Sequence, residues 1–388
     1  MTLSIPLISR KAGPSPIGRL RYKRVPLNKK QARLSGRYML KPEIDLNDFT
    51  CRAVIDWVTI CFWLGRRTQH QWVQSEIMDV FGTKAFIDAI DPKLGNVSDK
   101  FDIRIQEPDL LKLRHLHQRL EAKFDLHKPP LIRAMEISVD FTPREYDDVA
   151  RSKLYTALTR HVWTDRDVIS RPESRMRYFP DASGTKMEHV LAYNPKQPKS
   201  VNDHHFISTN RDRAPFVDST YYVGAQDDDV RWRIMDKVID SQNWNAGTSL
   251  ILGDANKRVR VEVTLDRPEV EALGIDTLDD LKEFRFATLQ GRFFNFMLPT
   301  FPNEQQKGST KRVAIETWKS RQRTEKFRKT GVIGLEAMNN ILDQQMKRLR
   351  KQSVHDLAQK GLALKPLTRR GAGVTGHLVA YEEMNERI

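Results

Sequence analysis

Apolar and polar residues alternate with period two in several stretches of the chain. Cys51–Trp63 (CRAVIDWVTICFW) is dense in β-branched and aromatic residues and predicts a buried strand. Ile132–Phe141 predicts a second. Within it Glu136, Ser138 and Asp140 share one face, and Ile137, Val139 and Phe141 share the other. In Arg258–Leu265 the same division puts Arg258, Arg260, Glu262 and Thr264 opposite Val259, Val261 and Val263. Lys100–Gln106 also alternates. Asp218–Gly224 and Val230–Lys237 predict a hairpin around the acidic turn Ala225–Asp229, with Arg231, Arg233, Met235 and Lys237 on one face and Trp232 and Ile234 on the other. Shorter strands are expected at Met176–Phe179 and His189–Tyr193.

Helical spacing appears in Trp72–Phe81, Ala85–Ile90, Asp109–Phe124 and Glu145–His161. It recurs in Pro268–Ala272, in Asp279–Phe286 with a continuation over Thr288–Phe296, and in the basic runs Lys311–Lys329 and Leu335–Lys360. Residues 163–215 read as loop-rich. The expected fold class is α+β: an antiparallel sheet-centred domain over 50–305, flanked by helices, with a basic helical extension over 306–388. From Arg10 to Lys41 there is no acidic residue, and Gly13, Pro14, Pro16 and Gly18 interrupt any helix. Residues 1–49 are therefore expected to be a flexible basic arm.

Charge sharpens the picture. The net charge is +15, with 11 Lys/Arg against 3 Asp/Glu in residues 1–50 and 17 against 5 in residues 307–370. A slightly acidic body with two basic ends points to a polyanion, most simply nucleic acid. With 30% charged residues and no long apolar run, no membrane association is expected, and the two cysteines suit a reducing cytoplasm without a disulfide framework. No P-loop, G-x-G-x-x-G, H-E-x-x-H or G-x-S-x-G occurs. His115-Leu116-His117 falls inside a leucine-striped helix, where residues two apart diverge, so it does not form a metal pair.

Carboxylates at i and i+4 of one strand, facing another acid on a neighbouring strand, suit an oxygen-rich divalent-cation site. Solvated polar faces fit the same alternation. The lane of Arg231, Arg233 and Lys237 suits a phosphodiester, and cross-strand salt bridges on a wet sheet fit it equally.

Four segments resemble the replication initiation factor family, which includes rolling-circle plasmid initiators of the Rep_trans group and related relaxases. AVIDWVTICF (53–62) is similar to the family's opening strand. AMEISVDF (134–141) is similar to R-[IL]-D-x-x-x-D-F. YYVGAQDDDVRWRIMDK (221–237) is similar to Y-[FIL]-G-x-[RK]-x-S-x-x-x-R-I-Y-[DN]-K, and RVEVTL (260–265) to R-[VF]-E-[IVL]-E-L. The resemblance covers about residues 50–300. It implies a rolling-circle DNA replication initiator that nicks a plasmid or phage origin through a 5′-phosphotyrosine link. Such a protein would act on single-stranded DNA at the nick, with Mg²⁺ or Mn²⁺ and a host helicase. By position it implies Glu136, Asp140 and Glu262 as metal ligands and Lys237 as a phosphate contact or proton donor. Arg231, Arg233, Arg258 and Arg260 are the expected DNA contacts, and the C-terminal helices suit origin recognition or a homodimer.

The family's tyrosine position holds Met235 here, and Thr264 replaces its second acid. A thioether cannot attack phosphate. A turn centred on Asp227 pairs Tyr221 with Arg233 on the charged face and turns Tyr222 to the core, which makes Tyr221 the expected nucleophile. A register slip of one residue exchanges the two. The alternative is a non-catalytic DNA-binding protein on the same scaffold.

Overall fold

The computed structural model describes residues 3–27, 34, 36–92, 97–180, 186–194, 196–243, 248–303, 310–359 and 378–388. The chain opens with β1 (Leu3–Leu7), β2 (Gly18–Pro26) and β3 (Arg37–Pro42), followed by the long β4 (Phe49–Gln69) and α1 (His70–Phe81). β5 (Phe86–Ala89), β6 (Val97–Gln106), α2 (Leu110–Phe124), the long β7 (Leu126–Pro143) and α3 (Asp148–His161) come next. Then β8 (Val162–Trp163), β9 (Arg177–Phe179), β10 (Glu188–His189), α4 (Lys199–Ile207), β11 (Thr220–Val223) and β12 (Val230–Lys237) lead to a small hairpin, β13 (Ile239–Asn243) and β14 (Thr248–Ile251). β15 (Arg258–Asp266), α5 (Arg267–Ala272), α6 (Leu278–Glu283), α7 (Gln290–Phe293), β16 (Asn295–Pro302), α8 (Thr310–Gln359), β17 (Leu378–Ala380) and α9 (Glu382–Asn385) complete it.

The architecture is α+β and centred on antiparallel sheets, as the alternation predicts. The large sheet runs β10-β9-β11-β12-β15-β7-β4-β6-β5. Its apolar face packs Ile137, Val139 and Phe141 with Val259, Val261 and Val263 in one buried core. α3 lies against β12, β15 and β7, and α1 and α2 against β4. The helix α2 carries His115 and His117, as expected. Among the described residues no helix is long and apolar enough to cross a membrane.

A second sheet, β1-β2-β3-β16-β17, corrects the expectation of a flexible N-terminal arm. In β2 (GRLRYKRVP) basic residues alternate with Leu20 and Tyr22, both 0% exposed. Charge counting registers the arginines and overlooks the period-two apolar face between them. β16 pairs with β3 on one side and β17 on the other, so both ends of the chain share this sheet.

Two shorter elements also differ from expectation. Ala85–Ile90 contains β5, which pairs with β6, and Thr288–Phe296 ends in β16. Such short apolar segments do not distinguish helix from strand by periodicity. The basic C-terminal run forms α8, interrupted at Gly331, whose φ is 69°. A Cβ there would come 2.7 Å from the Arg160 carbonyl oxygen, so glycine is required by both torsion and space. The remainder of that expected extension, 306–309 and 360–377, lies outside the described residues.

Tyr22, His161, Phe327 and Tyr381 pack, tilted or edge-on, into one buried cluster that joins β2, α3, α8 and the segment before α9. His161 Nδ1 donates to the Met297 carbonyl (2.7 Å), and its Nε2 accepts from the Tyr22 hydroxyl (3.1 Å). Both nitrogens serve the neutral ring, and burial lowers its pKa to about 4. The unfolded chain therefore binds the proton more tightly than the folded one. His161 contributes full stability above its unfolded pKa and loses that contribution as pH falls toward 4. In urea titrations, the stability advantage of wild type over His161→Gln should shrink by roughly 2–3 kcal/mol between pH 7 and 4.5. A constant difference across that range would show that the ring is not held neutral.

Candidate functional site on the charged sheet face

The polar face of the large sheet is built by register. Arg233 pairs with Glu262, Met235 with Arg260 and Lys237 with Arg258 across β12 and β15. Glu262 in turn pairs with Ser138, Arg260 with Asp140 and Thr264 with Glu136 across β15 and β7. The expected residues Glu136, Asp140, Glu262, Arg231, Arg233, Arg258, Arg260 and Lys237 thus share one face.

The grouping within that face differs from expectation. Asp56, Glu136 and Glu262 offer carboxylate oxygens within 4.8 Å of one another. Asp140 stands apart from this trio and is held by arginines. Arg260 grips it through Nε (2.5 Å) and Nη2 (2.7 Å), and Arg258 Nε lies 2.9 Å away. Asp56 takes its place by means of a bulge. Ile55 pairs with Ile137 but Trp57 pairs with Glu136, so β4 carries one extra residue there. The bulge breaks strict alternation and brings Trp57 and Asp56 to the same neighbourhood. Trp57 Nε1 donates to Glu136 Oε1 (3.0 Å), and Asp56 accepts from Arg260 Nη1 (2.7 Å). The sequence signal was a lone acid near the start of the apolar run 53–64.

These carboxylates are not on a solvated face: Glu136 is 5% and Glu262 2% exposed. Glu136 is further held by the Thr264 hydroxyl, which donates to it from β15 (2.7 Å). Burial, reinforced by Glu136, pushes the Glu262 carboxyl up to about 7, and Arg233 and Arg260 oppose the rise. Arg233 lies against two of the three. Its Nε donates to Glu262 and its Nη2 lies 3.4 Å from Glu136. Arg231 sits at the end of the lane, tied to Asp266 (2.5 Å) and to the hairpin turn. Lys237 is half-buried, and burial together with Arg260 and Arg258 lowers its pKa. Three hard carboxylate donors fit Mg²⁺ or Mn²⁺ in chemistry, and a cation there would compete with the Arg233 ion pairs.

The hairpin register is one residue off the expected one. Tyr221 pairs with Ile234 and Tyr222 with Arg233. Tyr221 therefore faces the core at 1% exposure, its hydroxyl without a hydrogen-bond partner among the described residues. Burial raises its pKa further above the ordinary tyrosine value. Tyr222 is the tyrosine on the charged face. It is half-buried, edge-on to Phe179 at 5.4 Å, with the Arg177 guanidinium 5.5 Å from its ring. Met235 lies two residues beyond Arg233 on β12, so its Cα is roughly 7–8 Å diagonally from that of Tyr222.

No family model and no curated protein matches the chain. Among solved structures it is similar to "Structure of Rolling Circle Replication Initiator Protein from Geobacillus stearothermophilus", at 12% identity and a TM-score of 0.28, over 68% of this chain and 91% of that one. At that score the likeness carries no inference about this chain.

Proposed function

We propose that the chain is a DNA-nicking replication initiator whose nucleophile is Tyr222. The observation that supports this reading is the cross-strand row Tyr222–Arg233–Glu262, which sets a half-buried tyrosine beside an arginine paired to two of three clustered carboxylates. The Tyr222 hydroxyl gives its proton to solvent as its oxygen attacks the scissile phosphorus, the bond from phosphorus to the 3′ oxygen breaks, and a 5′-phosphotyrosine link results. Arg233 and Lys237 bind the non-bridging phosphate oxygens. Lys237, with its lowered pKa, gives up a proton more readily than an exposed lysine and is assigned to protonate the leaving oxygen. Asp56, Glu136 and Glu262 would hold the divalent cation, which when bound polarises the phosphate. The exposed residues Trp318, Lys319 and Arg321 of α8 suit contact with the origin. With no P-loop in the chain, strand separation would fall to a separate helicase.

A second reading has its own support. Asp56, Glu136, Asp140 and Glu262 are matched in number by Arg233, Lys237, Arg258 and Arg260, so the layer has a basic side chain for each carboxylate without a metal. Met235 also stands where the family has tyrosine. Those facts favour a DNA-binding protein without cleavage.

The deciding experiment incubates the protein with supercoiled origin DNA and Mg²⁺ or Mn²⁺, then resolves the products on a denaturing gel with and without protease. Open circles carrying a protease-sensitive adduct support the nickase, while binding without nicks in either metal supports the second reading. Saturating Mn²⁺ should also raise the thermal midpoint of wild type and not of Glu262→Gln. A stabilisation of about 2.7 kcal/mol is expected when the free metal is a hundredfold above its Kd. Equal shifts in both proteins would place the cation elsewhere.

A further inference from the structure

The row through Tyr222 continues past it. Tyr222 pairs with Arg177 on β9, and Arg177 pairs with His189 on β10. His189, Arg177, Tyr222, Arg233 and Glu262 thus line up across five adjacent strands. At the usual strand spacing, His189 lies roughly 10 Å from Tyr222 and roughly 19 Å from Glu262.

At the β10 end this row meets a cavity of about 840 Å³. Its lining includes Lys186, His189, Tyr193, Arg211 and Arg213. The size is that of sites that enclose small organic ligands. The rings of His189 and Tyr193 meet edge-to-face at 5.9 Å, and the Arg175 guanidinium lies 5.4 Å from the Tyr193 ring. His189 Nδ1 is buried with no hydrogen-bond partner among the described residues. Lys186, Arg211 and Arg213 are exposed, and Lys186 and Arg213 approach Glu188 only at 3.7 and 3.8 Å. The cavity therefore combines aromatic faces with rim cations, two of them only loosely paired to Glu188 and so able to meet phosphate. Ordinary loop packing calls for none of these.

We propose that this cavity is a nucleotide-binding subsite that takes one base of a single DNA strand lying across the sheet, close to the phosphate presented to Tyr222. The proposal rests on the nicking reading for its choice of ligand. Tyr193 supplies the stacking face, and Lys186, Arg211 and Arg213 the contacts to flanking phosphates. Arg177 and Tyr222 guide the strand from the cavity toward Arg233. Such a pocket would make cleavage depend on the identity of a nucleotide beside the nick.

The test is equilibrium binding of a labelled single-stranded origin oligonucleotide to the full chain in EDTA, where cleavage is suppressed. Tyr193→Ala should weaken binding about tenfold, the size of one lost base–aromatic stack, and Tyr193→Phe should bind as wild type. The double variant Lys186→Gln/Arg213→Gln alters only exposed side chains. It should reduce the slope of log K against log salt by about 1.4, two single-strand phosphate contacts. A 5-iododeoxyuridine walked along the oligonucleotide should cross-link to the 186–213 peptide from one position only. Unchanged binding in both variants, or cross-linking from every position, overturns the subsite, as does failure of wild type to bind the strand. The reaction reading fails separately: wild type that binds and cross-links as described but never nicks keeps the subsite and loses the nickase.

Discussion

Tyr222→Phe should eliminate the covalent protein–DNA adduct and lower nicking by at least about 10⁴-fold, while leaving DNA binding within a fewfold of wild type. The change removes one oxygen. The ring keeps its edge contact with Phe179 and its place under Arg177, so the strand and its register remain. Tyr221→Phe is the matched control, because the neighbouring tyrosine differs only in which face of β11 it occupies. Its hydroxyl lies in the core, without a partner among the described residues, so no phosphate reaches it. Removing an unsatisfied buried hydroxyl should leave nicking unchanged and stability unchanged or about 1 kcal/mol higher. Peptide mapping of the adduct gives an independent reading, since the phosphotyrosine must fall on Tyr222. If Tyr221→Phe abolishes the adduct and Tyr222→Phe does not, the hairpin register described here is wrong in solution. If neither changes it, the nucleophile lies outside this face.

How far these residues could be read in advance follows from what alternation measures. Period two places Glu136, Ser138 and Asp140 on one face, and Arg258, Arg260 and Glu262 on the facing one, because both strands are regular where they pair. It fails at Asp56, where the β4 bulge inserts a residue and changes the phase. Alternation also does not say which acid meets which partner. Glu136 and Asp140 share a face, but Arg260 takes Asp140 with a two-pronged grip while Glu136 joins Asp56 and Glu262. That choice depends on the reach of side chains across strands. The hairpin register differs from the expected one by a single residue of turn geometry: Ala225–Asp229 closes so that Tyr222, not Tyr221, meets Arg233. In the N-terminal segment the alternation of Leu20 and Tyr22 with Arg19, Arg21 and Lys23 was present in the sequence, and the run of positive charge obscured it.

Arg260→Ala should cost about 3–5 kcal/mol of folding stability at pH 7, the largest loss expected from one substitution on this face. Arg260 is 3% exposed. It closes two ion pairs with Asp140, at 2.5 and 2.7 Å, and one with Asp56 at 2.7 Å, and its Nη1 lies 3.6 Å from Glu262. Truncation leaves carboxylates buried beneath the layer with one cation fewer. Asp140→Asn in the same chain removes one stranded charge, so the double variant should recover much of the loss, and the double-mutant cycle should show a coupling of several kcal/mol. A loss below about 1 kcal/mol, the range of exposed ion pairs, would mean that water reaches Asp140 and Asp56 freely. The same arginine holds Asp56 beside Glu136 and Glu262, so an open layer of that kind would also deprive the carboxylate trio of its fixed geometry.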